Sequence, residues 1–245
     1  MPISIIQKSR NHTFYQEVPL TVTLPSPTTA GSKLIVVVFG GKSAYPFNVK
    51  DLITETLNPT VSDDKSDSFT QVTQIVGLSQ EANDSPPTAP DVSGYYLNAY
   101  VFSATATTGA QVVSVAAFYP DIVLSPPMVQ GRPVFNGGMS VEVFEIGGLI
   151  SGVTGNATYV GEENPLGNNI LTPGSANSLV LEAGMLIDSS CIDPDSKATL
   201  QYTGRFPDGS SYYAVQTTQQ TSAAANAGFG NPVSYGGGVI AVSLH

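Results

Sequence analysis

The sequence predicts an all-β protein, an antiparallel β-sandwich or jelly roll with long loops and little helix. Its apolar segments are short, rich in β-branched and aromatic residues, and bounded by Gly, Pro, Asn or Asp. The 24 Gly and 18 Pro follow no triplet period, which indicates many turns and excludes collagen. Only 11% of residues are charged although 41% are hydrophobic. Ser, Thr, Asn and Gln must therefore cover much of the surface, as on the outer faces of sheets.

The first strands are predicted at residues 4–8, 13–18 and 20–24, the last of which alternates cleanly between polar and apolar. Residues 33–39 form a continuous apolar run of strand length. A strand covered on both faces has this pattern, so we expect it in the centre of a sheet. Residues 47–57 are the one stretch where the pattern admits one or two helical turns.

In the middle of the chain, residues 67–76 again have strand character. Residues 81–93 contain three prolines and are predicted to be a loop, because proline cannot donate to a sheet ladder. The runs 95–106 and 111–118, joined by a short Gly-containing link, are predicted to form a hairpin.

The second half is predicted to alternate strands with polar loops. Residues 140–146 alternate over seven positions, which predicts a strand with Glu142 facing solvent. Residues 151–177 are predicted to be a long loop or a small excursion such as a hairpin, and 219–238 an exposed loop. The remaining strands are predicted at 178–187, 199–205, 211–217 and 239–244.

We expect one domain. Residues 1–25 form an N-terminal arm or edge strands, and residues 26–245 a single β-sandwich with a long insertion at about 150–177. No linker separates two parts that could each bury a core. The weakest alternative boundary lies near Asn177.

Charge and motifs exclude several functions. With 9 Lys and Arg against 19 Asp and Glu, the net charge is -10, which argues against partners that are nucleic acids or anionic membranes. The longest apolar run, residues 34–39, is far shorter than a bilayer span of about 20 residues. Residues 1–4 do not begin a standard secretory signal, which predicts synthesis in a cytosol. Cys191 is the only cysteine and cannot form an internal disulfide.

Catalytic signatures are missing from the sequence. The two histidines, His12 and His245, lie near the two ends and are expected to be exposed. Gly228-Phe229-Gly230 lacks the third glycine of a dinucleotide fingerprint, and neither a nucleophile elbow nor a Walker loop occurs. We therefore expect a protein that is not an enzyme, with no catalytic residues and no cofactor.

Two Asp-rich segments offer oxygen ligands that could suit calcium. Neither has the twelve-residue spacing with a terminal Glu, so both are interpreted as Asx turns, and no metal is expected. The residues are Asp63, Asp64 and Asp67 in the first segment, and Asp188, Asp193 and Asp195 in the second.

Carboxylate pairs could also serve a glycosidase. Glu142 and Glu145 stand three residues apart on a predicted strand and should point to opposite faces, and Glu162-Glu163 lies in a loop. Neither pair supports hydrolysis.

Sugar binding without hydrolysis stays open, because exposed tyrosines can stack on glycan rings. The candidates are Tyr95-Tyr96 and Tyr212-Tyr213, with one ring of each doublet expected in the core. The absence of Trp lowers the odds of a dedicated carbohydrate module.

The order of elements is more informative than any single motif. A small-residue turn leads to an apolar strand, an Asp-rich turn to a second strand, and a Gly-containing hairpin to a Glu-bearing strand. The segments are 30–41, 62–63, 67–72, 95–106, 109–115, 140–148 and 177–181. Together they resemble the jelly-roll β-sandwich domains of bacteriophage virion proteins and of some bacterial surface proteins, over roughly residues 28–244. The resemblance implies a structural or adhesive part of a particle without catalytic residues.

The expected function is therefore that of a non-enzymatic virion structural protein, a capsid decoration or tail component assembled in the host cytoplasm. Its partners would be other virion proteins and copies of itself. The alternative is a glycan-binding adhesin at a phage tail or bacterial surface, which an exposed Tyr96 or Tyr213 would support. A third hypothesis, a carbohydrate hydrolase, needs two carboxylates in one cleft.

Overall fold

A computed structural model describes residues 2–13, 19–44, 58–79, 94–116, 128–129, 132–133, 138–160, 169–171, 178–186, 195, 197–206, 212–219, 225–227, 229 and 237–245. Seventeen strands are present in these residues. They are β1 (Ser4–Thr13), β2 (Leu20–Thr23), β3 (Lys33–Ala44), β4 (Thr60–Asp63), β5 (Thr70–Ser79), β6 (Gly94–Thr105), β7 (Val112–Ala116), β8 (Met128–Val129), β9 (Arg132–Pro133), β10 (Gly138–Gly147), β11 (Val153–Val160), β12 (Asn169–Leu171), β13 (Leu179–Leu186), β14 (Thr199–Arg205), β15 (Tyr212–Gln219), β16 (Ala225–Ala227) and β17 (Gly237–Leu244).

Three antiparallel sheets make up most of the fold. The central sheet has the order β1-β10-β3-β6-β5, and the C-terminal sheet has the order β11-β17-β13-β15-β14. A small sheet has the order β2-β7-β4, and β8-β9 and β12-β16 form two-stranded ribbons. No helix occurs in the residues listed above. The predicted antiparallel β-sandwich is confirmed, whereas these pairings do not by themselves establish a jelly roll.

The central sheet is covered on both faces, as the side chains of β3 illustrate. Leu34, Val36 and Val38 face the small sheet, while the alternate residues of the strand face the C-terminal sheet. All residues from 34 to 39 are fully buried. The prediction that the apolar run at 33–39 lies centrally in its sheet, covered on both sides, is confirmed.

The larger core fills the space between the central and C-terminal sheets. Phe39 stacks on Tyr213 with ring centroids 4.6 Å apart, and Phe206 meets Phe39 edge-on at 6.3 Å. Most other residues of this core are aliphatic side chains from both sheets, such as Val37, Val101, Ile146, Leu181, Val215, Ile240 and Val242. One core therefore joins the two sheets.

The predicted hairpin of residues 95–106 and 111–118 is wrong. β6 pairs with β3 and β5 in the central sheet, whereas β7 pairs with β2 and β4 in the small sheet. The connection is bonded to another loop: Gly109 N–H donates to Thr28 O, and Ala106 N–H donates to Ser32 O. These hydrogen bonds stabilise the connection where the chain passes from the central sheet to the small sheet. Gly109 has φ +90°, which favours glycine in this turn.

Residues 151–177, predicted to be a long loop or a small excursion such as a hairpin, contain an edge strand of a main sheet, and this is a second difference. β11 pairs with β17 along its whole length. An edge strand needs few apolar residues, because one side of its ladder and part of its surface stay open, so its polar composition resembles that of a loop. The loop predicted at 219–238 likewise contains β16, which pairs with β12.

The chain order follows the layers. β1 to β7 and β10 form the central and small sheets, and the C-terminal sheet is formed by later strands, namely β11, β13, β14, β15 and β17. β1 and β2, from the predicted N-terminal arm, are strands of two different sheets. The expected strand at 14–18, helical turns at 47–57 and loop at 81–93 lie outside the described residues. Among the residues described, no helix is long and apolar enough to span a membrane.

Candidate functional site

Two edge strands meet along one side of the sandwich, β1 from the central sheet and β14 from the C-terminal sheet. The Lys8 ammonium donates to Gln201 O at 3.2 Å and to Gln201 Oε1 at 2.7 Å. The Arg10 guanidinium donates to Thr203 O at 3.0 Å. We call this junction, formed by Lys8, Arg10, Gln201, Tyr202 and Thr203, the β1–β14 seam. The Lys8 and Arg10 side chains donate to backbone carbonyl groups of the edge strand β14. These carbonyl groups are therefore not available to pair with another strand.

The Tyr202 ring forms the inner side of the seam. The Lys8 Nζ atom lies 4.8 Å from the ring centroid, and the Arg10 Cζ atom lies 5.1 Å from it. Both distances allow a cation–π attraction. The ring also packs at 5.7 Å from that of Phe144, so the seam is continuous with the larger core.

Glu142 lies fully buried beneath the seam, directly opposite Arg10 in the β1–β10 register. The Ser140 hydroxyl donates to its Oε1 at 3.1 Å, and the Tyr213 hydroxyl donates to Ser140 Oγ at 2.8 Å. Its Oε2 atom has no hydrogen-bond partner. The prediction that Glu142 faces solvent is wrong, because β10 is flanked by β1 and β3 in a sheet covered on both faces.

The surroundings of Glu142 shift several protonation equilibria. Burial raises the pKa of Glu142 from 4.5 to about 7, although the Ser140 hydrogen bond and the charges of Arg10 and Lys8 oppose the shift. Burial, followed by the Glu142 charge, raises the pKa of Tyr202 to about 12. Burial also raises the pKa of Tyr213, and it lowers the pKa of Lys8. A pKa of about 7 means that the charge of Glu142 can change near neutral pH.

Glu145 lies on the opposite face of the same strand, as predicted, and is fully buried. Its carboxylate accepts from Gln7 Nε2 at 2.5 Å, from Thr29 N–H at 2.7 Å and from the Ser32 hydroxyl at 2.8 Å. Glu145 thus ties the loop before β3 to β1 and β10. Because the central sheet separates Glu142 from Glu145, the two carboxylates do not share a cleft.

The first Asp-rich segment forms the Asx turn predicted for it. Asp63 Oδ1 accepts from the Lys65 and Asp67 N–H groups, at 3.0 and 2.9 Å. Asp64 accepts from Gln111 N–H at 2.9 Å, which lowers its pKa. Burial opposes the ionisation of Asp67, but hydrogen bonds from the Thr107 hydroxyl and amide lower its pKa overall.

The Asp63 carboxyl has a raised pKa. Burial raises this pKa, and a side-chain hydrogen bond with Asp67 adds to the shift, although the backbone hydrogen bonds from Asp67 and Lys65 oppose it. In the described part of the chain, no group of three or more His, Cys, Asp or Glu residues could hold a metal ion.

The second Asp-rich segment is only partly described. Asp195 accepts from Lys197 N–H at 2.8 Å, as an Asx turn does, and its own N–H donates to Gln216 Oε1. Asp188 and Asp193 lie outside the described residues, as do Glu162, Glu163 and Cys191.

The tyrosine doublet 212–213 has the predicted division. Tyr213 is buried in the core, so it cannot stack on a glycan. Tyr212 is half-buried, with the Arg205 guanidinium 4.8 Å from its ring centroid. The side chains of Tyr95 and Tyr96 lie outside the described part.

The two histidines occupy different strand ends. His12 is exposed on β1 and lines a shallow pocket with Ser140, Arg205 and Tyr213. His245 is half-buried, against the prediction of exposure, because its backbone pairs with Gly152.

Neither the seam nor the buried Glu182 was predicted from the sequence. Glu182 is buried on the outer face of the C-terminal sheet, where Gln216 Nε2 donates to it at 2.6 Å. The alternation Lys8-Ser9-Arg10 was the available signal for the seam, because a strand places both cations on one face, but the strand predicted at residues 4–8 ended before Arg10.

Comparison with known protein families, with curated proteins and with solved structures finds no match. What the molecule does must therefore follow from its own residues. In the described ranges, several carboxylates accept hydrogen bonds from residues that are distant in the sequence. They are Glu145, Asp64 and Asp67.

Proposed function

We propose that this chain is a non-enzymatic structural protein of a bacteriophage virion, a capsid decoration or tail component that assembles with copies of itself and with neighbouring virion proteins. The observation that carries the proposal is the strand order of residues 4–147. β1 to β4 alternate between two facing sheets, and after β5 and β6 the chain passes to the small sheet at β7 and back to the central sheet at β10: β1, β3, β6 and β10 lie in the central sheet, and β2, β4 and β7 in the small sheet. This alternation is typical of a jelly roll, with β5 joining the central sheet, and jelly rolls build many viral capsids.

The internal hydrogen bonds support the same proposal. Asp67 and Asp64 join the turn after β4 to the connection between β6 and β7, and Glu145 joins the loop before β3 to β1. Loops held in this way keep one shape, and a rigid surface loses less conformational entropy when it binds a neighbour.

The outer face of the small sheet offers a contact surface without charge. Its central row consists of Thr21, Ser114 and Ser62, which are paired across the three strands. Burying short neutral side chains avoids the desolvation cost of burying ions. This face could therefore pack against a neighbouring protein.

The test is assembly of the intact chain. We expect analytical ultracentrifugation to detect a defined oligomer, and immunogold labelling to decorate purified particles of the phage that encodes the gene. Ser114→Arg should weaken assembly, whereas Gln71→Arg, an exposed position on β5, should not. A chain that stays monomeric and is absent from purified particles would refute the proposal.

The alternative is a glycan-binding adhesin, and the Arg205–Tyr212 pair is the observation that favours it. A half-buried aromatic ring beside a guanidinium is a common way to hold a sugar ring and its polar groups. Binding on a glycan array that Tyr212→Ala abolishes would support this function, and an array without binding would exclude the glycans it carries.

A further inference from the structure

Glu142 is a buried acid that the contact surface proposed above does not include. The groups that face it are Lys8 and Arg10 on β1, Tyr202 on β14, and Tyr213 on β15. Ser140, on its own strand, supplies the hydrogen bond to Oε1. The Lys8 and Arg10 side chains donate to the carbonyl groups of Gln201 and Thr203. Neither of them donates to Oε2 of Glu142. When ionised, Glu142 is thus an anion with a single hydrogen bond.

β1 separates this carboxyl group from water. It is an edge strand, paired along one side with β10, and the side chains of Lys8 and Arg10 bond it to β14. Arg10, opposite Glu142, is exposed. Releasing β1 from β14 and from its ladder with β10 is therefore a local opening that lets water reach Glu142 and exposes the β1 amides.

We propose that the β1–β14 seam is a proton-operated joint, which stays closed while Glu142 is protonated and opens more often once Glu142 has lost its proton. The closed seam leaves an ionised Oε2 without a partner, whereas the open seam lets water solvate it. Opening therefore releases a proton. Lifting β1 also frees the carbonyl groups of Gln201 and Thr203, which makes β14 an edge able to accept a partner strand.

The direction and size of the effect follow from proton linkage. The pKa of Glu142 is about 7 in the closed seam and 4.5 when the group is hydrated. The open state therefore binds fewer protons between these values, and its population increases with pH. Between pH 5.5 and pH 8 the open population should rise about 25-fold.

Hydrogen exchange of the full-length chain tests the joint. We expect the protection factors of β1 amides, corrected for intrinsic exchange rates, to fall about 25-fold from pH 5.5 to pH 8. E142Q should abolish this dependence and keep β1 protected at pH 8. D64N, which removes a carboxylate outside the seam, should preserve it. A pH-independent wild type, or an unchanged slope in E142Q, would overturn the proposal.

A second measurement does not depend on the folding of a variant. A carbon-13 NMR titration of the wild-type Glu142 carboxyl group should have its midpoint near pH 7. A midpoint near 4.5 would show that the closed seam already hydrates Glu142, and it would refute the joint. These outcomes concern only the seam, so they are independent of whether the chain belongs to a virion.

Discussion

Glu142 and Glu145 stand three residues apart on β10 and are both fully buried, yet they differ in the number of donors that surround them. Three donors converge on Glu145, whereas Glu142 receives only the Ser140 hydroxyl. Hydrogen bonds to the ionised form offset the cost of burying a charge. The two residues therefore have different roles: Glu145 holds a loop in place, and Glu142 responds to pH.

The first prediction concerns Glu142→Gln and stability. The raised pKa of Glu142 means that the folded chain binds its proton more tightly than the unfolded chain does. The contribution of Glu142 to stability is therefore greatest below pH 4.5, decreases as the pH rises towards 7, and is constant above. E142Q should be more stable than wild type at pH 8 by about 3 kcal/mol, a difference that decreases towards pH 4.5.

Urea denaturation of both proteins at several pH values measures this difference. Other carboxyl groups titrate equally in the two chains, so the difference isolates Glu142. Parallel stability curves would show that the charge state of Glu142 does not affect folding.

The second prediction concerns Gly184, whose missing side chain makes room for the buried ring of Phe229. A Cβ atom at position 184 would collide with that ring, so Gly184→Ala should destabilise the fold by about 2 kcal/mol. Gly147→Ala is the matched control, because its Cβ would lie 2.7 Å from Cδ1 of Ile6, a half-exposed side chain that can move. Thermal unfolding compares the two, and an equal loss in both would contradict the packing argument.

At the scale of elements, Glu145 joins three segments of the chain. Besides its bond to Glu145, Gln7 exchanges two hydrogen bonds with Ser26, so the loop between β2 and β3 is bonded to β1 at Ser26 and to Glu145 of β10 at Thr29. This loop also contacts the connection between β6 and β7. Glu145 therefore stabilises the crossing of the chain between the central and small sheets.

The third prediction is that Glu145→Ala destabilises the protein by about 3 kcal/mol, because it leaves buried donors without an acceptor. Hydrogen exchange should increase first at the amides of residues 28–32. Thr21→Ala, on the exposed face of the small sheet, should change stability by less than about 0.5 kcal/mol. If Glu145→Ala were as stable as wild type, the three hydrogen bonds would contribute nothing net.

For the whole molecule, the shared core determines how the parts unfold. Val37 lies in the core between the central and C-terminal sheets, which come from different halves of the chain. A chain with one such core should unfold in a single transition. Our expectation of one domain depends on that behaviour.

The fourth prediction follows from the position of Val37 in the core that the two sheets share. Val37→Ala should lower the urea midpoint of both sheets equally, with a loss of about 2 kcal/mol, because it opens a cavity in the core that they share. Hydrogen exchange with mass spectrometry, which reports β3 and β13 separately, provides the measurement. A shift in only one sheet, or two separate transitions, would indicate two domains.

The sequence by itself determined the β class, the central position of residues 33–39, the Asx turn at Asp63 and the opposite orientations of Glu142 and Glu145. All of these depend on local chemistry, namely the two-residue period of a strand and the hydrogen bonding of short polar side chains. Only the tertiary structure decided that β6 and β7 separate into different sheets, that β11 is a strand, and that Glu142 is buried. These depend on which distant strand becomes a neighbour, because a polar residue on an interior strand has the same local pattern as one that faces solvent.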